Sequence, residues 1–112
     1  MKTKILITGA SGFIGTNLLE DMLSKGYEVC NIDFNTPKIP ERNSVWKNVD
    51  ITDYKSFEKA VLDFAPDYLV HLAARTDLDG KTLEDYSANV VGVENLMAII
   101  HKLPNLKKAI IT

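Results

Sequence analysis

The chain of 112 residues carries 13 basic and 15 acidic side chains, a net charge of -2, which gives no electrostatic basis for binding nucleic acid. Its length suits one small domain, and 46% hydrophobic with 25% charged residues is the balance of a globular protein. The single cysteine, Cys30, excludes an internal disulfide and suits a reducing compartment, and the longest apolar run, Leu96 to Ile100, is too short to span a membrane. A soluble, cytoplasmic protein is expected.

Lys4 to Thr8 is short, β-branched and stops at Gly9, which predicts a buried strand. From Phe13 to Lys25, Ile14, Leu18, Leu19, Met22 and Leu23 recur at helical spacing, and Gly26 supplies a C-terminal stop. Tyr27 to Asp33 reads as a second strand. Two prolines between Asn35 and Pro40 exclude regular structure there. Val45 to Val49 is a weak third strand. Asp53 caps a predicted helix reaching Phe64, with Phe57, Ala60, Val61 and Phe64 on one face, and Pro66 ends it. Tyr68 to Leu72 is a fourth strand. Thr82-x-x-Asp85 is a variant capping box opening a helix to Leu103, on which Tyr86, Val90, Val93, Met97 and Ile100 form the expected core stripe. Pro104 closes that helix, and Lys108 to Thr112 begins a fifth strand.

Strands alternating with helices imply parallel pairing through crossovers, with the first helix on one face and the two later helices on the other. The predicted fold is α/β, a doubly wound, Rossmann-like parallel sheet ordered 3-2-1-4-5 and stopping within strand five. No internal repeat, low-complexity tract or linker divides it.

Gly9, Gly12 and Gly15 lie between the first strand and the first helix. In such a sheet this loop meets the helix start at the carboxyl edge, where free N–H groups and about half a positive charge attract an anion. Gly9 permits the tight turn, Gly12 lets the backbone approach a pyrophosphate, and Gly15 allows close packing of helix on strand. Ser11 offers a further hydroxyl donor. Three glycines alone also serve ordinary turns; their strand-and-helix setting is what points to a dinucleotide. Asp33 ends the second strand, 18 residues past Gly15, where a carboxylate can accept both hydroxyls of an adenosine ribose or, more plainly, cap a turn.

The stretch Thr8-Gly9-Ala-Ser-Gly12-Phe13-Ile14-Gly15 resembles the TGxxGFIG opening of the extended short-chain dehydrogenase/reductases, the NAD-dependent epimerase/dehydratases. The resemblance continues through Asp50-Ile51, His71-Leu72-Ala73-Ala74 and Asn89-Val-Val-Gly92-Val-Glu-Asn95-Leu96, and so covers essentially the whole chain. It implies an N-terminal Rossmann portion that holds a nicotinamide cofactor for work on a nucleotide-sugar. Phe13 and Ile14 are then expected against the pyrophosphate turn. Asp33, Phe34 and Asn35 would surround the ribose, and Asp50 and Ile51 would border the adenine, Asp50 accepting from its exocyclic amine. Leu72, Ala73, Ala74 and Arg75 would leave strand four beside the cofactor. Asn89 would approach it from the long helix, where simple packing is the rival reading. His71, between Val70 and Leu72, reads as a hydrogen-bonded structural group, and Cys30 as a small buried hydrophobe.

The family's chemistry resembles acid–base catalysis by a tyrosine with a lysine four residues later, helped by a serine or threonine. Here Tyr27, Tyr54, Tyr68 and Tyr86 are followed at that spacing by Asn31, Glu58, Leu72 and Val90. The resemblance therefore implies the cofactor-binding portion of an epimerase, dehydratase or reductase, without its catalytic residues or substrate domain. A noncatalytic dinucleotide-binding sensor or interaction module is the alternative. Asp33 favours NAD over NADP, because a 2′-phosphate would meet its carboxylate; Lys38 and Arg42 lie further along the loop. An open edge at strand five and thinly covered sheet faces imply self-association.

Overall fold

The computed structural model describes residues 2–73 and 83–112. Five parallel strands, β1 (Lys4–Thr8), β2 (Glu28–Asp33), β3 (Trp46–Asn48), β4 (Tyr68–His71) and β5 (Lys108–Ile111), form one sheet in the order β3-β2-β1-β4-β5. The chain winds outward from β1 to β3, then returns to the other side of β1 for β4 and β5. Three helices connect them: α1 (Phe13–Ser24), α2 (Tyr54–Phe64) and α3 (Leu83–Ile100). Among the described residues no helix is long and apolar enough to cross a membrane.

The central strands are apolar on both faces because both are covered. In register, Leu6 stands beside Cys30 and Leu69, and Ile5 beside Val29 and Tyr68. Leu6, Cys30, Ile32 and Leu69 pack with Phe57 and Val61 of α2 and Leu96 and Ile99 of α3. Ile5, Ile7 and Val29 pack on the opposite face with Leu19 of α1. Burial pushes the Cys30 thiol up to about 11, so it stays protonated and acts as a small apolar side chain.

Helix ends follow local chemistry. Gly26, at φ +84°, closes α1: its N–H donates to Leu23 and that of Tyr27 to Met22, a Schellman motif. Asp53 caps α2, accepting from the Ser56 N–H at 3.4 Å and hydroxyl at 2.8 Å. Ala65 closes the same helix in the left-handed region, at φ 53°. Glu58 of α2 accepts from Tyr54 at 2.8 Å and from Lys102 at 2.6 Å, tying α2 to the chain just beyond α3.

Three expectations need correction. The buried face of α3 carries Gly92, Leu96 and Ile99, whereas Val90 and Met97 of the expected stripe are exposed. That helix is apolar nearly all round, so periodicity could not choose its face. Ile14, spaced with the apolar residues of α1, is 70% exposed and lines the cleft at the start of the helix instead of packing with Leu19. Pro40, assigned to an irregular loop, opens a 3-10 helix over Pro40–Val45, a position where its missing N–H costs nothing. That turn is fastened to α1 by a two-pronged ion pair between Arg42 and Glu20. The capping box at Thr82 lies outside the described residues, as does the side chain of Tyr86.

Candidate functional site

The carboxyl ends of the strands open onto a cleft of about 920 Å³, at the point where strand order reverses. Its floor is the turn from β1 into α1, and the three glycines serve it for different reasons. Gly9 has φ +80°, and a Cβ there would lie 2.7 Å from the Ala73 nitrogen. A Cβ on Gly15 would fall on the Gly9 carbonyl oxygen and 2.5 Å from Ala10 Cα. Both are demanded by the fold. Gly12 is not: its φ is -79°, and a Cβ would meet only the Gly9 carbonyl oxygen, at 3.5 Å. Its bare surface faces the cleft.

The N–H groups of this turn are mostly used within the protein. Gly9 donates to Ile32, and Gly12 to Gly9. Ala10 donates to the Asn31 side-chain oxygen at 3.0 Å and Ser11 to Asp33 Oδ2 at 2.9 Å. The next three, on Phe13, Ile14 and Gly15, begin α1 and have no intrahelical acceptor. Gly12 brings no side-chain cap, and no acidic residue stands in the first turn. The positive end of α1 is thus turned to the cleft with no carboxylate of that turn neutralising it.

Asp33, buried at the end of β2, accepts a second backbone bond from Asn35 at 2.8 Å. Its carboxylate therefore braces both the glycine turn and its own loop while lining the cleft. Phe34 and Asn35 continue the same wall, with Phe34 70% exposed. The Trp46 indole donates to the Asp33 carbonyl at 2.9 Å, holding the strand end from the β3 side. Ser11 is placed differently from Gly12: it is buried, its hydroxyl accepts from Asn31 Nδ2 at 3.2 Å, and it does not line the cleft.

The opposite wall follows β3. Asp50 Oδ1 accepts from the Thr52 N–H at 2.9 Å and hydroxyl at 2.7 Å, making a tight turn that presents Asp50 and Ile51. Asn89 of α3 lines the same space. Beyond β4, Leu72 and Ala73 line it as well, their N–H groups bonded to the Thr8 hydroxyl oxygen at 3.1 and 3.2 Å. Ala74 and Arg75 lie outside the described residues. His71 is buried and bonded to Thr8, away from the lining, and burial holds its imidazole below the ordinary value. Tyr54 and Lys102, a tyrosine and lysine that do meet in space, sit on the outer α2–α3 surface and contribute nothing to the cleft.

Sequence reasoning passed over Asn31, Thr8, Val49, Thr52 and Thr112. Asn31 was findable: it is the polar residue inside an otherwise apolar strand, and it is fully buried with both ends of its amide on the glycine turn. Thr112 lines the cleft from the end of β5 while its hydroxyl donates to the His71 carbonyl at 3.0 Å; no local pattern announces that.

A doubly wound parallel sheet with a bare glycine turn and a strand-end carboxylate at its switch point defines a nucleotide-binding α/β domain. Residues 5–112 match the NAD dependent epimerase/dehydratase family, and the chain belongs to that family. A probable dTDP-glucose 4,6-dehydratase of Sinorhizobium fredii is 36% identical over 85 residues, covering 68% of this chain and 24% of the relative. A 3-beta-hydroxysteroid dehydrogenase of Mycolicibacterium neoaurum is 35% identical over 102 residues, covering 84% of this chain and 27% of the relative. The crystal structure of the Bordetella bronchiseptica enzyme WbmG in complex with NAD and UDP superposes with a TM-score of 0.85 at 32% identity, over 99% of this chain and 37% of that one. The chain thus spans about a quarter to a third of the length of these relatives.

Proposed function

We propose that this chain binds NAD in the cleft, as the cofactor-holding portion of a nucleotide-sugar epimerase, dehydratase or reductase. The observation that carries this reading is Gly12, bare without structural need, beside three uncapped helix-start N–H groups. The N–H groups of Phe13 and Ile14 hold the pyrophosphate. Asp33, with Phe34 and Asn35, takes the adenosine ribose; Asp50 accepts from the adenine amine, and Ile51 packs on the ring. Leu72 and Ala73, followed by Ala74 and Arg75, border the cofactor with Asn89 opposite. NAD, when bound, supplies a hydride acceptor.

The nucleotide-sugar class rests on the relatives, a dTDP-glucose dehydratase and an enzyme crystallised with UDP among them. No tyrosine of the 112 residues has a lysine four places on, so these residues by themselves bind cofactor without turnover. They also self-associate: Ile110 and Ile111 are exposed on β5, and Val90, Val91 and Met97 on α3, apolar surface of a kind that pairs between chains.

Calorimetric titration with NAD and NADP, joined to a hydride-transfer assay on UDP-glucose and dTDP-glucose, tests the reading. Saturable NAD binding, weaker NADP binding and no turnover are expected. NADP binding as tight as NAD overturns the role given to Asp33, and turnover overturns the absence of a catalytic pair.

A further inference from the structure

The Asp50–Ile51 wall is held from behind by α3. Asn95 Nδ2 donates to the Ile51 carbonyl at 2.9 Å, 44 residues away in sequence. The Ile51 side chain nests on Gly92, where a Cβ would fall on Ile51 Cδ1 and 2.9 Å from its Cγ1. Other acceptors of the turn are taken too: the Asp50 carbonyl by the Asp53 N–H at 2.9 Å, and Asp50 Oδ1 by Thr52. Among the described residues, nothing donates to Asp50 Oδ2. The turn is therefore a rigid piece that brings Asp50 and Ile51 to the cleft, with the depth of the Ile51 side chain set by Gly92.

We propose that Asn95 and Gly92 are positioning residues that make this wall select a base bearing an exocyclic amine. Asn95 anchors the turn so that Asp50 Oδ2 keeps one place, and Gly92 lets Ile51 lie back far enough for a purine ring to slide over it. An amine donates to that oxygen, whereas a keto group at the same ring position sets one acceptor against another. The inference rests on the reading that the adenosine half of NAD occupies this cleft.

The test compares dissociation constants of NAD and nicotinamide hypoxanthine dinucleotide for the unmodified chain, Asn95→Ala and Gly92→Ala, with thermal unfolding followed alongside. The unmodified chain is expected to prefer NAD by roughly tenfold or more, as for loss of a charge-assisted hydrogen bond. Asn95→Ala should shrink that ratio several-fold. Gly92→Ala should weaken NAD while its unfolding midpoint stays level or rises, because alanine is the better helix residue and the displaced atoms are the end of one side chain. That separation of binding from stability keeps the proposal testable if Asn95→Ala folds poorly. An unchanged ratio in Asn95→Ala, or undiminished NAD affinity in Gly92→Ala, overturns it while NAD binding itself stands. Failure of the unmodified chain to bind either nucleotide overturns the cofactor reading, and this inference with it.

Discussion

The hydroxyl of Thr8 meets Nδ1 of His71 at 2.6 Å, and in that contact the hydroxyl is the donor. Its oxygen already accepts from the N–H groups of Leu72 and Ala73 at 3.1 and 3.2 Å. His71 is thereby held neutral, with its proton on Nε2. One side chain of β1 thus fixes the exit from β4 where it borders the cleft, and Gly9 beside it allows that close approach.

Thr8→Val removes the hydroxyl and keeps the shape, leaving the Ala73 N–H and the His71 ring nitrogen without their partner, while the Leu72 N–H keeps the Thr8 carbonyl at 2.9 Å. Each buried group so stranded costs about 1–3 kcal/mol, so a loss of about 2–4 kcal/mol is expected by urea unfolding. Thr8→Ser should recover most of it. A Thr8→Val chain as stable as the parent would show that the Thr8 contacts are incidental.

Because burial depresses the His71 imidazole, the unfolded chain takes up the proton first as pH falls. Stability is then complete above the unfolded value near 6.5 and declines as pH drops from there toward the folded value. Glu20 and Glu58 are lowered chiefly by hydrogen bonds from Arg42 and Lys102. Their contributions are present above the unfolded value of 4.5 and disappear as pH falls through the folded one. Unfolding midpoints at about pH 7.5 and about pH 5.5 should therefore differ in the parent and much less in His71→Asn. An equal slope in both would remove His71 from the account.

Most of the architecture was legible because each strand is a short apolar run cut by glycine, proline or a polar turn, and alternation with helices leaves few ways to wind a parallel sheet. The tight turn at Gly9 and the close packing at Gly15 were legible for the same reason, since their places relative to strand and helix set those roles. The Thr8 contacts were hidden, because their partners lie 63 to 65 residues along the chain. The buried side of α3 was hidden by its surplus of apolar residues on every face. Asp33 was half read: its place at the cleft came from the strand end, while its bonds to Ser11 and Asn35 come only with the folded turn.

That second role sharpens the expected effect of Asp33→Ala. The substitution deletes the proposed ribose acceptor and also loosens the glycine turn. A charged hydrogen bond is worth about 1.5–3 kcal/mol, so NAD should bind roughly ten- to a hundredfold more weakly by calorimetry. Unchanged affinity would show that Asp33 is only a brace.

Two left-handed helix ends offer an opposed pair. A methyl group added at Gly26 would meet nothing within 4 Å, so Gly26→Ala faces backbone strain alone and should cost about 1 kcal/mol. Ala65 already bears that strain at φ 53°, and Ala65→Gly should stabilise by about 0.5–1 kcal/mol after the extra chain entropy of glycine. Thermal or denaturant unfolding reads both. Destabilisation by Ala65→Gly would contradict the reading of that helix end.

Gly12 gives the most direct measurement of the central claim, that this cleft holds the pyrophosphate of NAD. A Cβ there has room within the protein, and the residue borders the cleft where the phosphates are proposed to lie. Gly12→Val should cost no more than about 1 kcal/mol in stability, as for an unfavourable N-cap residue. Calorimetric titration of the parent and of Gly12→Val with NAD should show saturable binding by the parent and none by the folded variant. Undiminished NAD affinity in Gly12→Val would contradict the account and reduce the glycines to a turn.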